Sequence, residues 1–145
     1  MLILLAEDNS DHAELIQTCF HDQNLLNEVR HVRDGEIAMD YLLRQGEFEN
    51  PATSPRPDLI LLDLRMPKID GLEVLSRIKS TEGLKRIPVV ILTTSDAESD
   101  VAKASDLHAN SYLVKPIGFE DLCELLKDMG FYWLAMNRVA NPEES

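Results

Sequence analysis

Apolar residues along this chain fall into short blocks separated by stretches of helical spacing. Leu2 to Ala6, Leu59 to Leu62 and Pro88-Val-Val-Ile-Leu92 are runs without polar alternation. Such runs predict strands buried on both faces, as in a parallel sheet. Val29 and Val32 mark a shorter, polar-flanked strand, and Ser111-Tyr-Leu-Val114 marks a fifth. Ala13, Ile16 and Phe20, with Leu15 and Cys19, form the stripe of a first helix behind the capping cluster Asn9-Ser10-Asp11. After the turn signal Asp34-Gly35, Ile37, Ala38, Tyr41 and Leu42 predict a second helix. Leu72, Val74, Leu75 and Ile78 predict a third, Asp96 starts a fourth, and Leu122, Leu125, Leu126 and Met129 mark a fifth. Residues 46–57, with Gly46, Pro51, Pro55 and Pro57, read as a surface loop, long for an α/β connection and treated as an insertion. Five strand–helix alternations with mostly short links predict an α/β protein with a doubly wound parallel sheet.

Composition narrows the setting. The 145 residues suit one domain, and 44% hydrophobic with 28% charged residues is ordinary for a globular chain. The formal net charge of -12 is not ordinary, and it argues against nucleic acid or an anionic membrane as a direct partner. Cys19 and Cys123 sit at apolar positions of helical patterns and read as buried free thiols, which suits a reducing compartment. The start lacks the basic flank of a signal peptide, and no window approaches a membrane span. A cytoplasmic location is expected.

Chemistry concentrates where the predicted strands end. Glu7-Asp8, Asp63, Thr93 and Lys115 each close one strand. In a doubly wound sheet these ends face one carboxyl edge, where ligands bind. Three carboxylates and one ammonium leave two negative charges, which one divalent cation neutralises. Oxygen ligands without paired His or Cys favour Mg2+ or Mn2+ over zinc. An Asp beside such a cation and a lysine is equipped to accept a phosphoryl group, because that transfer needs positioned positive charge. His12, His21, His31 and His108 are scattered without ligand spacing and read as surface residues.

The pair Glu7-Asp8, the block Asp63-Leu-Arg-Met-Pro-Lys-Ile-Asp-Gly71, Thr93 and Lys115-Pro116 together resemble the receiver domain of two-component response regulators, from about Leu2 to Met129. The resemblance implies a flavodoxin-like sheet of strand order 2-1-3-4-5 with five helices. It implies that a sensor histidine kinase phosphorylates Asp63, with Lys115 and Thr93 assisting. Mg2+, with Mn2+ or Ca2+ as substitutes, would be held by Asp8, Asp63 and the backbone carbonyl of Arg65, with Glu7 acting through water. Thr93 and Tyr112 would form a switch pair, and the Lys115–Pro116 bond would be cis. Two departures stand out: Glu7 replaces the commoner Asp, and Arg65 brings a guanidinium two residues after the phosphoacceptor.

A receiver-like unit then spans residues 1–130, and residues 131–145 form a C-terminal helical extension. Leu122, Leu126, Met129, Trp133, Met136 and Ala140 continue a heptad-like seam across Gly130. The last helix is therefore expected to run to about residue 137. Phe131, Tyr132, Trp133, Leu134 and Met136 are candidate contacts of a homodimer, since exposed apolar patches mark interfaces. The long loop and the Phe-Tyr-Trp-Leu ending also resemble regulators paired with phytochrome kinases, implying a light-sensing pathway. The expected protein is a phosphorylation-controlled binding module and not an enzyme beyond its own phosphorylation and dephosphorylation. Alternatives are an intermediate in a phosphorelay, or an Asp-nucleophile phosphohydrolase resembling haloacid dehalogenases, which would need an acid where Arg65 stands. A flavin-binding protein of similar fold would want a phosphate cradle where Glu7-Asp8-Asn9-Ser10-Asp11 is repulsive.

Overall fold

The computed structural model describes residues 2–22 and 28–140, with Asp22 and residues 130–140 as helical backbone only. Five strands, β1 (Leu2–Ala6), β2 (Glu28–Val32), β3 (Leu59–Leu62), β4 (Val89–Thr93) and β5 (Ser111–Val114), form one sheet of order β2-β1-β3-β4-β5. All neighbouring pairs are parallel. The helices are α1 (Ser10–Asp22), α2 (Gly35–Leu43), α3 (Gly71–Lys79), α4 (Glu98–Asp106) and α5 (Phe119–Ala140).

The unbroken apolar runs are explained by the two covered faces of the sheet. Ile3, Leu5, Leu59, Leu61, Val90 and Leu92 pack with Ile16 and Phe20 of α1 and Leu122 and Leu126 of α5. Leu4, Ala6, Ile60, Leu62, Val89 and Ile91 pack the opposite way, with Leu42 of α2, Leu75 and Ile78 of α3 and Ala104 of α4. Successive residues serve opposite faces, so both parities must be apolar.

Local chemistry sets the boundaries. Asp34 caps α2 by accepting from the Ile37 N–H at 2.8 Å, and Asp70 caps α3 through the Glu73 N–H at 3.0 Å. The fourth helix begins at Glu98, two residues after the expected Asp96, and its cap residue Ala97 makes no side-chain hydrogen bond. Leu15, expected on the buried stripe of α1, is exposed instead. The last helix continues through Gly130 to Ala140; the side chains of Phe131, Tyr132, Trp133, Leu134 and Met136 lie outside the described residues.

The 46–57 loop is packed. A 3-10 turn at Gly46–Phe48 sets Phe48 edge-on to Tyr41, with ring centroids 5.2 Å apart. The Tyr41 hydroxyl donates to the Pro55 carbonyl at 2.7 Å, Arg56 donates to the Leu42 carbonyl, and Ser54 is buried.

The cysteines depart from expectation as well. Cys19 and Cys123 are not free thiols; they form a disulfide with a Cα–Cα distance of 5.1 Å, joining α1 to α5. They lie 104 residues apart in sequence, and only the packing of those helices on one face brings them together.

Candidate functional site

The parallel ladders run one residue past several strand ends and so fix the backbone of the residues that close them. The Asp63 N–H donates to the Ala6 carbonyl at 3.0 Å, Glu7 N–H to Val32 at 3.0 Å, and Lys115 N–H to Thr93 at 2.7 Å. Ala6 pairs with Leu62 and Thr93 with Val114, so the carboxyl ends of β1, β3, β4 and β5 stand side by side. Glu7, Asp63 and Thr93 are buried there.

At the centre, the Lys115 ammonium donates to Asp63 Oδ2 at 3.0 Å and to Glu7 Oε1 at 2.9 Å, with only 5% of its side chain exposed. Glu7, Asp8 and Asp63 each place a carboxylate oxygen within 4.8 Å of the others, and Asp8 is the exposed member. Among the described residues this is the group of acids able to share a metal ion. The Arg65 N–H donates to Asp63 Oδ1 at 3.2 Å, which lays the backbone of the β3–α3 loop against the acids. Gly71 closes that loop: a Cβ there would stand 2.2 Å from the Asp63 carbonyl oxygen. Lys68 within it takes a left-handed φ of 68°, a conformation that β-carbon-bearing residues adopt at a cost.

Crowding the carboxylates separates their acidities. Burial, reinforced by hydrogen bonding to Asp63, pushes Glu7 up to about 8 against the opposing pull of Lys115. Burial also acts to raise Asp63, but hydrogen bonding with Glu7, the Lys115 charge and Thr93 outweigh it and hold Asp63 below its ordinary value. The two shifts run in opposite directions, so the pair holds its charge more readily on Asp63 than on Glu7.

Residues expected at the site are brought together, with three differences. The Lys115–Pro116 peptide bond is trans, not cis. The hydrogen bonds from Lys115 to Glu7 and Asp63 hold the ammonium inward without it, and trans is the lower-energy form by about 0.5–1 kcal/mol. Arg65 turns its side chain away from Asp63 and donates to Asp100 Oδ2 at 2.6 Å. His12, read from sequence as a scattered surface residue, has Nδ1 3.2 Å from Glu7 Oε1 and 3.1 Å from Lys115 Nζ. Its one sequence signal is a position in the first turn of α1, just after the strand that ends in Glu7. Tyr112 lies on β5 and donates its hydroxyl to the Ser95 carbonyl at 2.8 Å, two residues beyond Thr93. Burial raises its phenol above the ordinary value.

Known proteins resemble the chain in sequence and in fold. A model of the response regulator receiver domain matches residues 3–127. The probable methanogenesis regulatory protein FilR2 of Methanothrix harundinacea is 46% identical over 97% of this chain and 88% of its own length. Response regulator Rcp1 of Synechocystis is 47% identical over 92% of this chain and 88% of its own. The phosphorylated cyanobacterial phytochrome response regulator RcpA superposes with a TM-score of 0.87 at 46% identity, covering 93% of this chain and 94% of that one. With family model, relatives and strand-end constellation in agreement, the chain belongs to the response regulator receiver family.

Proposed function

We propose that Asp63 accepts a phosphoryl group from a sensor histidine kinase and that its phosphorylation changes which partner the protein binds. The observation that carries this reading is the Lys115 ammonium, 3.0 Å from Asp63 Oδ2 and 2.9 Å from Glu7 Oε1 at one sheet edge. An Asp63 oxygen attacks the phosphorus of a phosphohistidine, an O–P bond forms, and the N–P bond breaks as the imidazole leaves. Lys115 moves its hydrogen bond from the carboxylate to a phosphoryl oxygen, and the Thr93 hydroxyl donates to another. Glu7, Asp8, Asp63 and the Arg65 carbonyl would hold a divalent ion, Mg2+ in the cell, with Mn2+ or Ca2+ able to replace it. The donors fit, being hard oxygens gathered within 4.8 Å of one another, with Glu7 pushed up to about 8 chiefly by burial. Such an ion would neutralise charge on the transferring group. A phosphohydrolase reading is not favoured, since the acid it needs is replaced by Arg65.

Leu15, Ile117 and Phe119 are exposed apolar side chains around the opening beside His12 and Lys115. They provide a surface on which a kinase can settle over Asp63. A phytochrome-type kinase fits because RcpA is a phytochrome response regulator. The acidic surface, net charge -12, favours a protein partner with a basic face over nucleic acid or membrane. No described helix is long and apolar enough to cross a membrane, and the proposed site of action is the cytoplasm. The helical backbone running unbroken through Gly130 to Ala140 supports a distinct extension beyond residue 130 that pairs two copies through Phe131, Tyr132, Trp133, Leu134 and Met136.

Transfer of label from an autophosphorylated kinase to Asp63 tests the central reading. Transfer to wild type and not to Asp63→Asn is expected; equal transfer to both contradicts it. With a phytochrome kinase, the rate should depend on illumination. Sedimentation of the full chain against a truncation at Gly130 tests pairing, and a monomer in both cases removes it.

A further inference from the structure

Asp100, in the first turn of α4, holds a buried charge that phosphoryl acceptance itself does not use. Its side chain is 8% exposed, and its Oδ2 accepts from Arg65 Nη2 at 2.6 Å and from Ser95 Oγ at 2.6 Å. A buried carboxylate needs such donors. Arg65 has the opposite character: its side chain is 69% exposed, while its backbone N–H sits 3.2 Å from Asp63 Oδ1. One residue therefore has its main chain against the phosphoacceptor and its guanidinium on α4. Ser95 shares the junction, since its N–H donates to Thr93 Oγ1 at 3.4 Å and its carbonyl accepts from the Tyr112 hydroxyl at 2.8 Å. Arg65, Asp100, Ser95 and Tyr112 thus form one connected polar chain from the β3–α3 loop to β5.

We infer that Asp100 is a positioning residue: it holds Arg65 away from Asp63 in the unphosphorylated protein and yields it to the phosphoryl group afterwards, freeing α4. This rests on the reading of Asp63 as the phosphoacceptor. An aspartyl phosphate presents several charged oxygens where Asp63 presents one carboxylate, and a guanidinium pairs with phosphate through two parallel hydrogen bonds. The move is inexpensive for Arg65, because a mostly exposed guanidinium loses little hydration in swinging. It is tolerable for Asp100, which keeps Ser95 Oγ and lies in the first turn of α4, where backbone N–H groups favour a negative charge. The consequence reaches beyond the site because α4 is weakly anchored. Among its residues only Ala104 and Asp100 are buried, so loss of the Arg65 tether removes a large part of what docks it. Arg65 over the phosphoryl oxygens also obstructs the water that would hydrolyse the acyl phosphate.

The test is the lifetime of the phosphorylated form, after labelling with acetyl phosphate and Mg2+, in wild type, Asp100→Asn, Arg65→Ala and the double variant. Asp100→Asn, which keeps shape and weakens the hold on Arg65, should lengthen the lifetime about threefold, within the coupling range of contacting residues. In the Arg65→Ala background the same change should have no effect. A general loosening of α4 would shift lifetimes by the same factor in both backgrounds, and that additive result overturns the inference. Should Asp100→Asn fail to fold, the Arg65 Nε–H signal of the wild-type protein decides. It should move when beryllofluoride and Mg2+ occupy Asp63, and an unmoved signal overturns the inference. A wild type that takes no label on Asp63 removes the phosphoacceptor reading itself; labelled wild type with an unchanged Asp100→Asn lifetime removes only the latch.

Discussion

The α1–α5 flank of the sheet and α4 on the opposite flank are held by different means. On one, α1 and α5 bury Ile16, Phe20, Leu122 and Leu126 against the strands, and the Cys19–Cys123 bridge ties the helices covalently. On the other, α2 and α3 pack Leu42, Leu75 and Ile78 against the strands, while α4 buries only Ala104 and one charged residue, exposes Val101, and makes the Arg65–Asp100–Ser95 contacts. Apolar burial is non-directional and indifferent to a phosphoryl group. Charge-assisted contacts are directional and can be outcompeted by one. Apolar packing thus holds both faces of the sheet, and the polar contacts of α4 are the ones a charged group can compete for.

Reducing the disulfide should produce the largest effect. A closed loop of this length stabilises by several kcal/mol in the chain-entropy treatment, and removal of native bridges costs about 2–5 kcal/mol. Denaturant midpoints with and without dithiothreitol measure it; coincident midpoints would mean that packing alone holds the α1–α5 flank. Leu126→Ala, at a fully buried position on the same flank, should cost about 2–5 kcal/mol by equilibrium unfolding. A loss below ~1 kcal/mol would show that the flank repacks.

The acid cluster between the flanks sets a pH dependence. Glu7 holds its proton more tightly in the fold than its ordinary value of 4.5, reaching about 8. Its linked contribution is therefore complete below pH 4.5 and lost as pH rises through about 8. Asp63, shifted down, contributes above its ordinary value of 3.8 and loses that contribution as the medium acidifies through its folded value. In chelator, stability should fall by at least about 1 kcal/mol between pH 5 and 8.5, one pKa unit's worth. Saturating Mg2+ should flatten that slope, because the metal favours the anion. A slope unchanged by Mg2+ would argue against Glu7 serving the ion. At the small end, Val101→Ala on exposed α4 should move stability by less than about 0.5 kcal/mol. A loss comparable to that of Leu126→Ala would erase the contrast between the flanks.

The parts legible in the sequence were those written locally. Unbroken apolar runs announced buried parallel strands, and the residue closing each run, Asp63, Thr93 or Lys115, was placed by strand geometry alone. What escaped depended on contacts between distant segments. Cys19 and Cys123 looked like separate core thiols because nothing in either helix states that the two helices are neighbours. His12 reaches Glu7 across a strand–helix turn, a contact that no helical or strand period encodes. The fourth helix starts late: Asp96 is a good capping type, yet Ala97 holds the cap position and makes no side-chain hydrogen bond. The trans bond before Pro116 accompanies ion pairs on Lys115 that bridge residues more than fifty positions apart.

The proposed switch depends on Asp63 being the group that takes phosphate. The direct measurement is the intact mass of wild type and Asp63→Asn after incubation with acetyl phosphate and Mg2+, before and after hydroxylamine, which cleaves acyl phosphates. One phosphoryl adduct on wild type, removed by hydroxylamine and missing from the variant, is the predicted result. The same adduct on both proteins, or none on wild type, would contradict the account.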